Sequence, residues 1–499
     1  MRVAVFVACL LAGFGAFAAD AVYSELWGAN GERWTPDSRL PDYSFAGYDR
    51  GEAPIPNAPA THNVRDFGAA GDGEKDDTEA FKRAVAEVEA GVIAIPPGRY
   101  VITDIIEIKK PNLVLRGAGR DKTTLYFPKT LTDVRPNWGE TTSGRPTSNY
   151  SWSGGFVWVM GGDAGEELTA AGPAMRGGSV LPVADAAPFK PGMELMLVLV
   201  DDAARSLTRY MYADDPGDIA KIGDGSSLRQ VFRVLGVGTD SITVDRPLRA
   251  DVRPEWKPVL RRFAPTVTQV GIEGMTFEFP APPYEGHFTE LGYNGIAMNN
   301  VAHCWVRDVH FQNAESGIFL HGRFCTVEDV SYDSAKMGHR FDTRGHHGVT
   351  LGGEDNVFTG FDFRVKYMHD LTVSSGSIGN VFSNGRGVDM NFDHHRRAPY
   401  ENLFANLDTG KGSRIWSCGG GESLGKHCAA RGTFWNIRAA NPLRQPPTLF
   451  APPMINIVGM TTEQPSEMDP AGRWFEVLDP AALQPQNIHE AQRDRRLRK

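Results

Sequence analysis

The sequence predicts an all-β chain that folds as a parallel β-solenoid. Three apolar runs begin with an Asn-apolar-Phe phrase at Asn356, Asn380 and Asn402, so the phrase recurs after 24 and then 22 residues. A repeat of this length, made of short strands without helical periodicity, is typical of coils that stack on one another. Alternating apolar residues are then expected to fill the interior, and the recurring asparagines to stack as an amide ladder.

Residues 1–18 predict a secretory signal peptide. One Arg is followed by the apolar run Val3–Leu11 and by small residues that end in Ala16-Phe17-Ala18, which is the pattern of a cleaved leader. Cleavage is expected after Ala18 or Ala19, and the mature protein is expected to be secreted or periplasmic. No other segment is long enough to cross a bilayer, so we expect no membrane partner.

Residues 19–60 predict an extended N-terminal arm, because they are rich in Trp, Tyr, Pro and Gly without periodicity. Trp27, Trp34, Tyr43 and Tyr48 could either bury against the main body or offer faces for sugar stacking, and packing is the favoured role.

Residues 61–130 predict a capping helix and the first coils. Asp76 or Asp77 is expected to cap the helix, with Glu79 placed for a capping box and Gly91 closing the far end. The apolar face of this helix is expected to consist of Phe81, Ala84, Val85 and Val88.

The phrase VRDFGAAGDGEKDDTEAF, followed by IAIPPGRYVI and LVLRGAG, closely resembles the opening of the pectate-lyase-like superfamily of right-handed parallel β-helices. This resemblance implies that the helix caps the open end of the solenoid and that the following strands form its first coils. The superfamily includes polysaccharide lyases, glycoside hydrolases, epimerases and phage depolymerases, so the resemblance implies a fold rather than one chemistry.

Three further segments follow. Residues 131–260 carry strand and hairpin signals and predict a β-rich insertion that walls one end of a groove. Residues 261–440 are expected to form the main parallel β-helix with the catalytic groove. Residues 441–499 are Pro-rich, end in the basic tail Arg493 to Lys499, and are expected to be a C-terminal surface extension.

The charge pattern favours an anionic carbohydrate as partner. The formal net charge of −9 argues against nucleic acid. A local group of cationic residues contrasts with this negative net charge, and its electric field would attract an anionic ligand. Its members are Arg340, Arg344, Arg364, Lys366, Arg386, Arg396 and Arg397. The expected ligand is an anionic polysaccharide or oligosaccharide, and the protein is expected to be a monomer.

The four cysteines after the leader leave two readings open. Cys304 and Cys325 are one coil apart and could pair, as could Cys418 and Cys428 in a local loop, since export permits disulfides. Buried free thiols are an equally good reading. A zinc site is disfavoured, because the chain has no Cys-x-x-Cys pair.

Histidines mark the candidate site. Nine of the thirteen histidines fall between His303 and His395. His321, His346, His369 and His394 follow one another at steps of 25, 23 and 25 residues, so stacked coils would place them in one column. Part of that column could instead be a buried, hydrogen-bonded ladder. Asp308, His303 and His310 are expected to be structural.

These residue types suit β-elimination of a polyuronate. The reaction needs a cation or donor that neutralises the carboxylate and a base that removes the C5 proton. Arg suits the first task, and His, Tyr or Lys the second. The expected catalytic residues are Arg344, His346, His347, Tyr367, His369, His394 and Tyr400, with Tyr400 as the acid for the leaving oxygen. The expected substrate-binding residues are Arg340, Lys366, Arg386, His395, Arg396 and Arg397.

Two other functions stay open. A glycoside hydrolase would need paired carboxylates, for which the region offers Asp342, Asp362, Asp370, Asp389 and Asp393. Gly345-His346-His347-Gly348 is faintly similar to the Gly-His-Gly of polygalacturonases, but the Asn-Thr-Asp and Asp-Asp motifs of that family are missing. The same aspartates could hold Ca²⁺, although no ligand pattern is diagnostic. A non-catalytic carbohydrate-binding protein would show aromatic platforms rather than clustered titratable groups.

Overall fold

The computed structural model describes residues 20–141, 143–223, 227–450, 452–462 and 472–498, so the predicted signal peptide lies outside the described residues. The chain forms a right-handed parallel β-helix with an N-terminal capping helix and a β-rich insertion, as predicted from the sequence. Two long parallel sheets make its walls.

The larger wall is a sixteen-stranded parallel sheet. Its strands are His62–Asn63, Asp72–Asp76, Gly91–Ile95, Gly98–Val101, Leu113–Gly117, Thr123–Tyr126, Gly271–Glu278, Trp305–Gln312, Thr326–Asp333, Val357–Thr359, Asp362–Phe363, Val381–Gly387, Leu403–Asp408, Thr433–Arg438, Asn456–Met460 and Trp474–Glu476. The last two strands lie beyond residue 440, so the coils continue further along the chain than predicted.

The second wall is a seven-stranded parallel sheet. Its strands are Ile106–Ile108, Val157–Met160, Asn294–Ala302, Ser316–Arg323, Thr343–Glu354, Lys366–Val373 and Phe392–His394. Between the two walls, buried aliphatic and aromatic side chains form one continuous core. Part of it is a ring column in which Tyr332 stacks on Phe311 at 5.2 Å and on Phe363 at 4.2 Å.

The predicted amide ladder is present at the corner of the coils. The Nδ2 of Asn356 donates to the Oδ1 of Asn380 at 2.9 Å, and the Nδ2 of Asn380 donates to the Oδ1 of Asn402 at 3.2 Å. The same Oδ1 atoms accept from backbone amides of Asn356 and Asn380. Each buried amide therefore satisfies groups of the neighbouring coil.

The insertion contains a six-stranded antiparallel sheet. Its strands are Glu167–Ala170, Val180–Pro182, Glu194–Val200, Ser227–Val237, Ser241–Val244 and Val259–Arg262. A buried ion-pair network holds it to the coils. Arg246 and Arg249 both pair with Asp355, and Arg249 also pairs with Glu401.

The remaining elements are short. Two small sheets pair Val22–Tyr23 with Leu483–Gln484 and Trp138–Glu140 with Pro146–Ser148. The α-helices are Thr78–Glu87, Leu131–Val134, Ser206–Met211 and Ile488–Leu497, and the 3₁₀ helices are Tyr48–Gly51, Val64–Phe67, Asn149–Ser151, Pro254–Trp256, Arg340–Asp342 and Glu422–Leu424. Among the described residues, none of the helices is long and apolar enough to span a membrane.

The capping helix differs from the prediction at both ends. Its predicted apolar face, Phe81, Ala84, Val85 and Val88, is buried. Asp77 stands at the N-cap but makes no capping hydrogen bond, because its carboxylate accepts from the amides of Ala70 and Gly71 instead. The expected capping box is therefore absent from the helix. The C-cap is Val88, and Gly91 instead begins the next strand.

The two chain ends pack together on the sixteen-stranded sheet. Trp27 and Tyr43 of the arm are buried, as the packing interpretation expected, and they share a core cluster with Ile488. Arg495 lies over the rings of Trp27 and Trp34. The expectation of a surface extension is therefore wrong for the basic tail. Most of it belongs to the helix Ile488–Leu497, and Arg496 donates to the carbonyls of Ser44 and Arg50 in the arm.

All four described cysteines are free thiols. Cys304 and Cys325 are buried in adjacent coils, where the Cys325 sulfur accepts from the Cys304 amide at 3.5 Å. The structure thus agrees with the free-thiol reading.

Candidate functional site

Strand register brings histidines of neighbouring coils together on the seven-stranded sheet. Asn294, Ser316, His347 and His369 are register partners in four successive strands. The predicted histidine column is wrong in detail. His321 pairs with Gly352, His369 pairs with His347 rather than His346, and His394 pairs with Val373. A register shift between Thr343 and Gly345 is one reason why sequence spacing misplaced the column.

Five imidazoles nevertheless form one compact group, which we call the imidazole cluster. His346 and His347 have ring centroids 4.2 Å apart, and His369 lies 5.0 Å from His347 and 5.3 Å from His346. His395 extends the cluster on one side, 5.4 Å from His369, and His287 on the other, 5.6 Å from His346. Four of these five come from the predicted site residues.

Asp393 is the carboxylate of the imidazole cluster. Its Oδ2 lies 3.0 Å from the Nδ1 of His395 and 3.3 Å from the Nδ1 of His369, and accepts from the Thr372 hydroxyl at 3.3 Å. Its Oδ1 accepts from the Gly419 amide at 2.8 Å. The carboxylate is fully buried, and these contacts fix its orientation.

A second carboxylate, Glu290, approaches the cluster from the loop between two coils. One of its oxygens accepts from the Tyr284 hydroxyl at 2.6 Å and lies 3.4 Å from the Nδ1 of His346, and the other accepts from the Phe288 amide at 2.7 Å. The ring of Phe288 meets His346 edge-on at 5.9 Å. Glu290 therefore faces His346 at the opposite end from Asp393.

Burial controls the protonation of the inner imidazoles. His346, His347 and His369 are 2%, 5% and 6% exposed. Burial lowers the pKa of His346 to about 3, and burial together with neighbouring imidazoles holds the pKa of His347 and His369 well below the ordinary value. These three rings are neutral at neutral pH and can accept a proton.

His395 has the opposite tendency. Burial disfavours its charge, but the attraction and hydrogen bond of Asp393 outweigh this and raise its pKa. Burial would raise the pKa of Asp393, yet His369 and His395 lower it below its usual range. The cluster thus combines neutral rings inside with a more basic ring at its edge.

Two buried ring nitrogens of the cluster have no hydrogen-bond partner among the described residues. They are the Nδ1 of His346 and the Nδ1 of His369. Each lies within ion-pair distance of a carboxylate, at 3.4 and 3.3 Å, but the geometry is not that of a hydrogen bond. Buried polar atoms are rarely left in this state, so these two require an explanation.

The open end of the cluster is cationic. The His395 side chain is 36% exposed, and Arg397 beside it is exposed and lowers the pKa of His395 through its charge. On the other side of the cluster, Arg145 and Arg340 are exposed near His287. Burial is the main cause that lowers the pKa of His287, and the charges of these two arginines lower it further. Anionic ligands would meet these groups first.

Other predicted residues lie outside the cluster. Tyr367 and Tyr400 are fully buried, donating to the carbonyls of Ala314 and Arg249. His394 is turned into the core, 4.9 Å from the ring of Phe450. These three side chains are buried and cannot reach a ligand where the structure places them.

The predicted cationic residues are scattered. Arg344 pairs with Asp342, which is also 4.0 Å from Lys366, and Arg340 lies over the ring of Phe341. Arg386 pairs with Asp362 on the other sheet. Arg396 is buried and donates to the carbonyls of Gly420, Glu422 and Gly425. Of the predicted cationic residues, only Arg397 and Arg340 are exposed near the imidazole cluster.

Sequence reasoning missed the residues of the loop that faces the cluster. His287, Glu290 and Tyr284 lie in a segment without strand pattern or histidine density, so no local signal marks them. Behind them, Glu315 accepts from the amides of Gly292 and Tyr293 at 2.8 and 2.9 Å. Burial lowers the pKa of the nearby Lys336, and the charge of Glu315 only partly opposes this effect.

Comparisons with known proteins agree with this fold. A family model described as "Rhamnogalacturonase A/epimerase, pectate lyase-like" matches residues 61–137. The resemblance to the pectate-lyase-like superfamily is confirmed. The pre-neck appendage protein of Bacillus phage B103 is 38% identical over 65 residues, which are 13% of this chain and 7% of that protein. The chain thus matches a small part of that curated relative's length.

Solved structures match the chain at low sequence identity and with TM-scores below 0.5. The tailspike protein gp49 from Pseudomonas phage LKA1 has a TM-score of 0.44 at 13% identity, over 76% of this chain and 64% of that one. A hyperthermoactive exopolygalacturonase from Thermotoga maritima has a TM-score of 0.32 at 10% identity, over 82% and 77% of the two chains. The Gp54 tailspike of Acinetobacter baumannii bacteriophage AP22, solved with a capsular saccharide, has a TM-score of 0.29 at 10% identity, over 80% and 69%.

Proposed function

We propose that this chain is an exported lyase that cleaves an anionic, uronate-containing polysaccharide by β-elimination. One observation carries the proposal: neutral imidazoles and exposed cationic groups meet at the same place on one wall of the β-helix. The family model that matches the first coils names a rhamnogalacturonase and an epimerase, which supports a carbohydrate substrate. Export rests on the leader predicted for residues 1–18.

His347 is the proposed base. Its ring lies at the centre of the cluster, next to His346, His369 and, at 6.5 Å, His395. Burial and its neighbours keep it neutral, and its Nδ1 faces the Thr372 hydroxyl at 3.3 Å. The neutral imidazole is the form that can accept a proton, although its lowered pKa makes the ring a weaker base than an exposed histidine. His346, facing Glu290, supports the position of His347.

The open end of the cluster is the proposed place for the substrate carboxylate. Positive charge there, at His395 and Arg397, would offset the carboxylate and make the C5 proton more acidic. The base then removes that proton, the C–H electron pair forms the C4–C5 double bond, and the C4–O bond breaks. The leaving oxygen takes up the proton from His347, which returns the base to its neutral form, so the step balances without water or a co-reactant.

The hydrolase alternative finds less support in the geometry. Asp370 is buried and paired with Arg414, Asp389 accepts from Ser413 at 2.6 Å, and Asp362 is on the other sheet. Asp342 is exposed beside Arg344. Of the five candidate aspartates, only Asp393 lies in the imidazole cluster. A hydrolase needs a carboxylate pair, so its second member would have to be Glu290, which already accepts from the Tyr284 hydroxyl and the Phe288 amide.

A substrate panel tests the proposal. The mature protein is incubated with polyuronates and acidic exopolysaccharides, and the ultraviolet absorbance of unsaturated uronate is followed in parallel with new reducing ends. We expect both signals to rise together on at least one substrate. Reducing ends without absorbance would make the protein a hydrolase. Binding without either product would make it a carbohydrate-binding protein.

A further inference from the structure

Three side chains at the open end of the cluster form a compact donor set. The Nδ1 atoms of His369 and His395 and a carboxylate oxygen of Asp393 lie within 4.8 Å of one another. The oxygen is 3.3 Å from His369 and 3.0 Å from His395. Tetrahedral zinc with bonds of about 2.0–2.1 Å requires ligand atoms about 3.3 Å apart. The two separations that involve Asp393 are therefore close to the spacing that one metal ion would impose, and the two imidazole ligand atoms lie within 4.8 Å of each other.

An unpartnered nitrogen points to a ligand at this place. The Nδ1 of His369 has no hydrogen-bond partner among the described residues, although the side chain is 8% exposed and faces Asp393. A buried imidazole nitrogen without a partner is costly. Coordination of a cation between His369 and Asp393 would remove that cost and explain why the two atoms approach without a hydrogen bond.

The surroundings are those of a built site. The other oxygen of Asp393 accepts from the Gly419 amide at 2.8 Å, which orients the carboxylate from behind. A Cβ on Gly419 would lie 2.5 Å from the Cε1 of His395 and 3.0 Å from the Cε1 of His369. Only a residue without a side chain lets both rings approach Asp393 at this point.

We propose that His369, Asp393 and His395 bind one divalent transition-metal ion, of which Zn²⁺ is the type. Two imidazoles and one carboxylate suit such an ion, whereas Ca²⁺ takes six to eight oxygen ligands. Three protein ligands leave a further coordination position, which lies on the exposed side of His395.

The metal site adds one element to the proposed function, a positive charge for the substrate carboxylate, and only this role rests on the proposed function. A metal ion at the open end would supply the positive charge that offsets the substrate carboxylate, and His347 lies beside it, 5.0 Å from His369 between ring centroids. Binding of the metal itself depends only on the three ligands.

Metal binding by the purified mature protein tests the inference without any substrate. The protein is stripped with a chelator, titrated with Zn²⁺ in a calorimeter, and its metal content is measured after dialysis. We expect one ion per chain and a rise in melting temperature on loading. His395→Ala and Asp393→Asn are expected to weaken binding by at least about 100-fold, more than the loss of a residue that only supports a ligand.

Two further variants keep the test decisive. Gly419→Ala, which leaves every ligand in place but crowds both rings, is expected to weaken binding by at least about tenfold. His310→Ala removes a histidine of the opposite sheet that bonds Ser331 at 2.9 Å, and is expected to bind Zn²⁺ like the unmodified protein. Circular dichroism confirms that each variant is folded.

The outcomes separate this inference from the proposed function. A chain that takes up no Zn²⁺, Mn²⁺, Co²⁺ or Ni²⁺, or a folded Asp393→Asn variant that binds as tightly as the unmodified protein, would overturn the metal site. If such a chain still makes unsaturated product, the lyase proposal stands without a metal. If the chain binds one ion but yields no unsaturated product from any substrate, the metal site stands and the lyase proposal fails.

Discussion

Two clusters of buried polar residues in neighbouring coils differ in whether their polar atoms have hydrogen-bond partners. In the ion-pair network beneath the insertion, both oxygens of Asp355 accept from Arg246 and Arg249, and those of Glu401 accept from Arg176 and Arg249. In the imidazole cluster, by contrast, the Nδ1 atoms of His346 and His369 have no hydrogen-bond partner among the described residues.

The difference separates structure from function. Buried charges are tolerated when their partners are fixed, and the carboxylates of the network have fixed partners that attach the insertion to the coils. In the network the Nε of Arg246 has no partner among the described residues, but both of its terminal nitrogens donate to fixed acceptors. In the imidazole cluster the unpartnered nitrogens lie beside carboxylates without bonding them, which is the state expected of groups that receive a ligand or a proton. Titratable residues alone would not have distinguished the two.

The largest expected effect comes from breaking the network. Asp355→Asn leaves buried Arg246 without its anion and leaves Arg249 paired with Glu401 alone, so the free energy of unfolding is expected to fall by about 3–5 kcal/mol. Guanidinium chloride unfolding measures the change. A loss below about 1 kcal/mol, the size expected of an exposed pair, would show that the network does not hold the insertion.

Acid should weaken the same network. Burial would raise the pKa of Asp355, but Arg246 and Arg249 outweigh it and hold this pKa below its ordinary value. A carboxyl group whose pKa is lowered by folding contributes stability above the unfolded-state pKa, about 3.9, and loses it as pH falls through the folded-state value.

Unfolding of the original chain and of Asp355→Asn at several pH values checks this expectation. The difference in unfolding free energy between the two should be constant at neutral pH and shrink below about pH 4. A difference that grows on acidification would contradict the assignment.

A smaller effect is expected at the cationic end of the imidazole cluster. Arg397→Ala removes an exposed charge beside His395 and should raise KM about tenfold, the equivalent of about 1.4 kcal/mol. It should also lower kcat, because the same charge makes the C5 proton more acidic. Steady-state kinetics on the substrate found by the panel measures it. Arg386→Ala, which removes an exposed arginine of the other sheet, serves as the control and should leave KM unchanged.

The smallest effect is expected for a surface ion pair. Asp362 pairs with Arg386 and Arg364, both well exposed. Asp362→Asn should change the free energy of unfolding by less than about 1 kcal/mol, because solvent screens such pairs. A cost equal to that of Asp355→Asn would remove the distinction between exposed and buried pairs.

The fold could be predicted because its signals are local. The coil repeat of Asn356, Asn380 and Asn402 and the motif that opens at Val64 both lie in continuous stretches of sequence. The asparagines recur once in each coil, so the amide ladder could be predicted from the same repeat.

The site could be predicted only in part, because it depends on register and on a distant loop. The density of histidines indicated His346, His347, His369 and His395. His394 was expected in the site but points into the core, whereas its neighbours Asp393 and His395 lie in the imidazole cluster, because one residue reverses the side to which a strand side chain points. Glu290 lies more than 50 positions before His346 in a segment without pattern, so only the folded chain brings the two together.

The most direct test of the central claim compares His347→Ala with His310→Ala on the same substrate. Both variants lose one histidine of the β-helix, but only His347 lies in the imidazole cluster. We predict that His347→Ala stays folded and forms unsaturated product about 10²- to 10⁴-fold more slowly, the range for loss of a general base, while His310→Ala keeps its rate. A folded His347→Ala that forms product at the original rate would contradict the account.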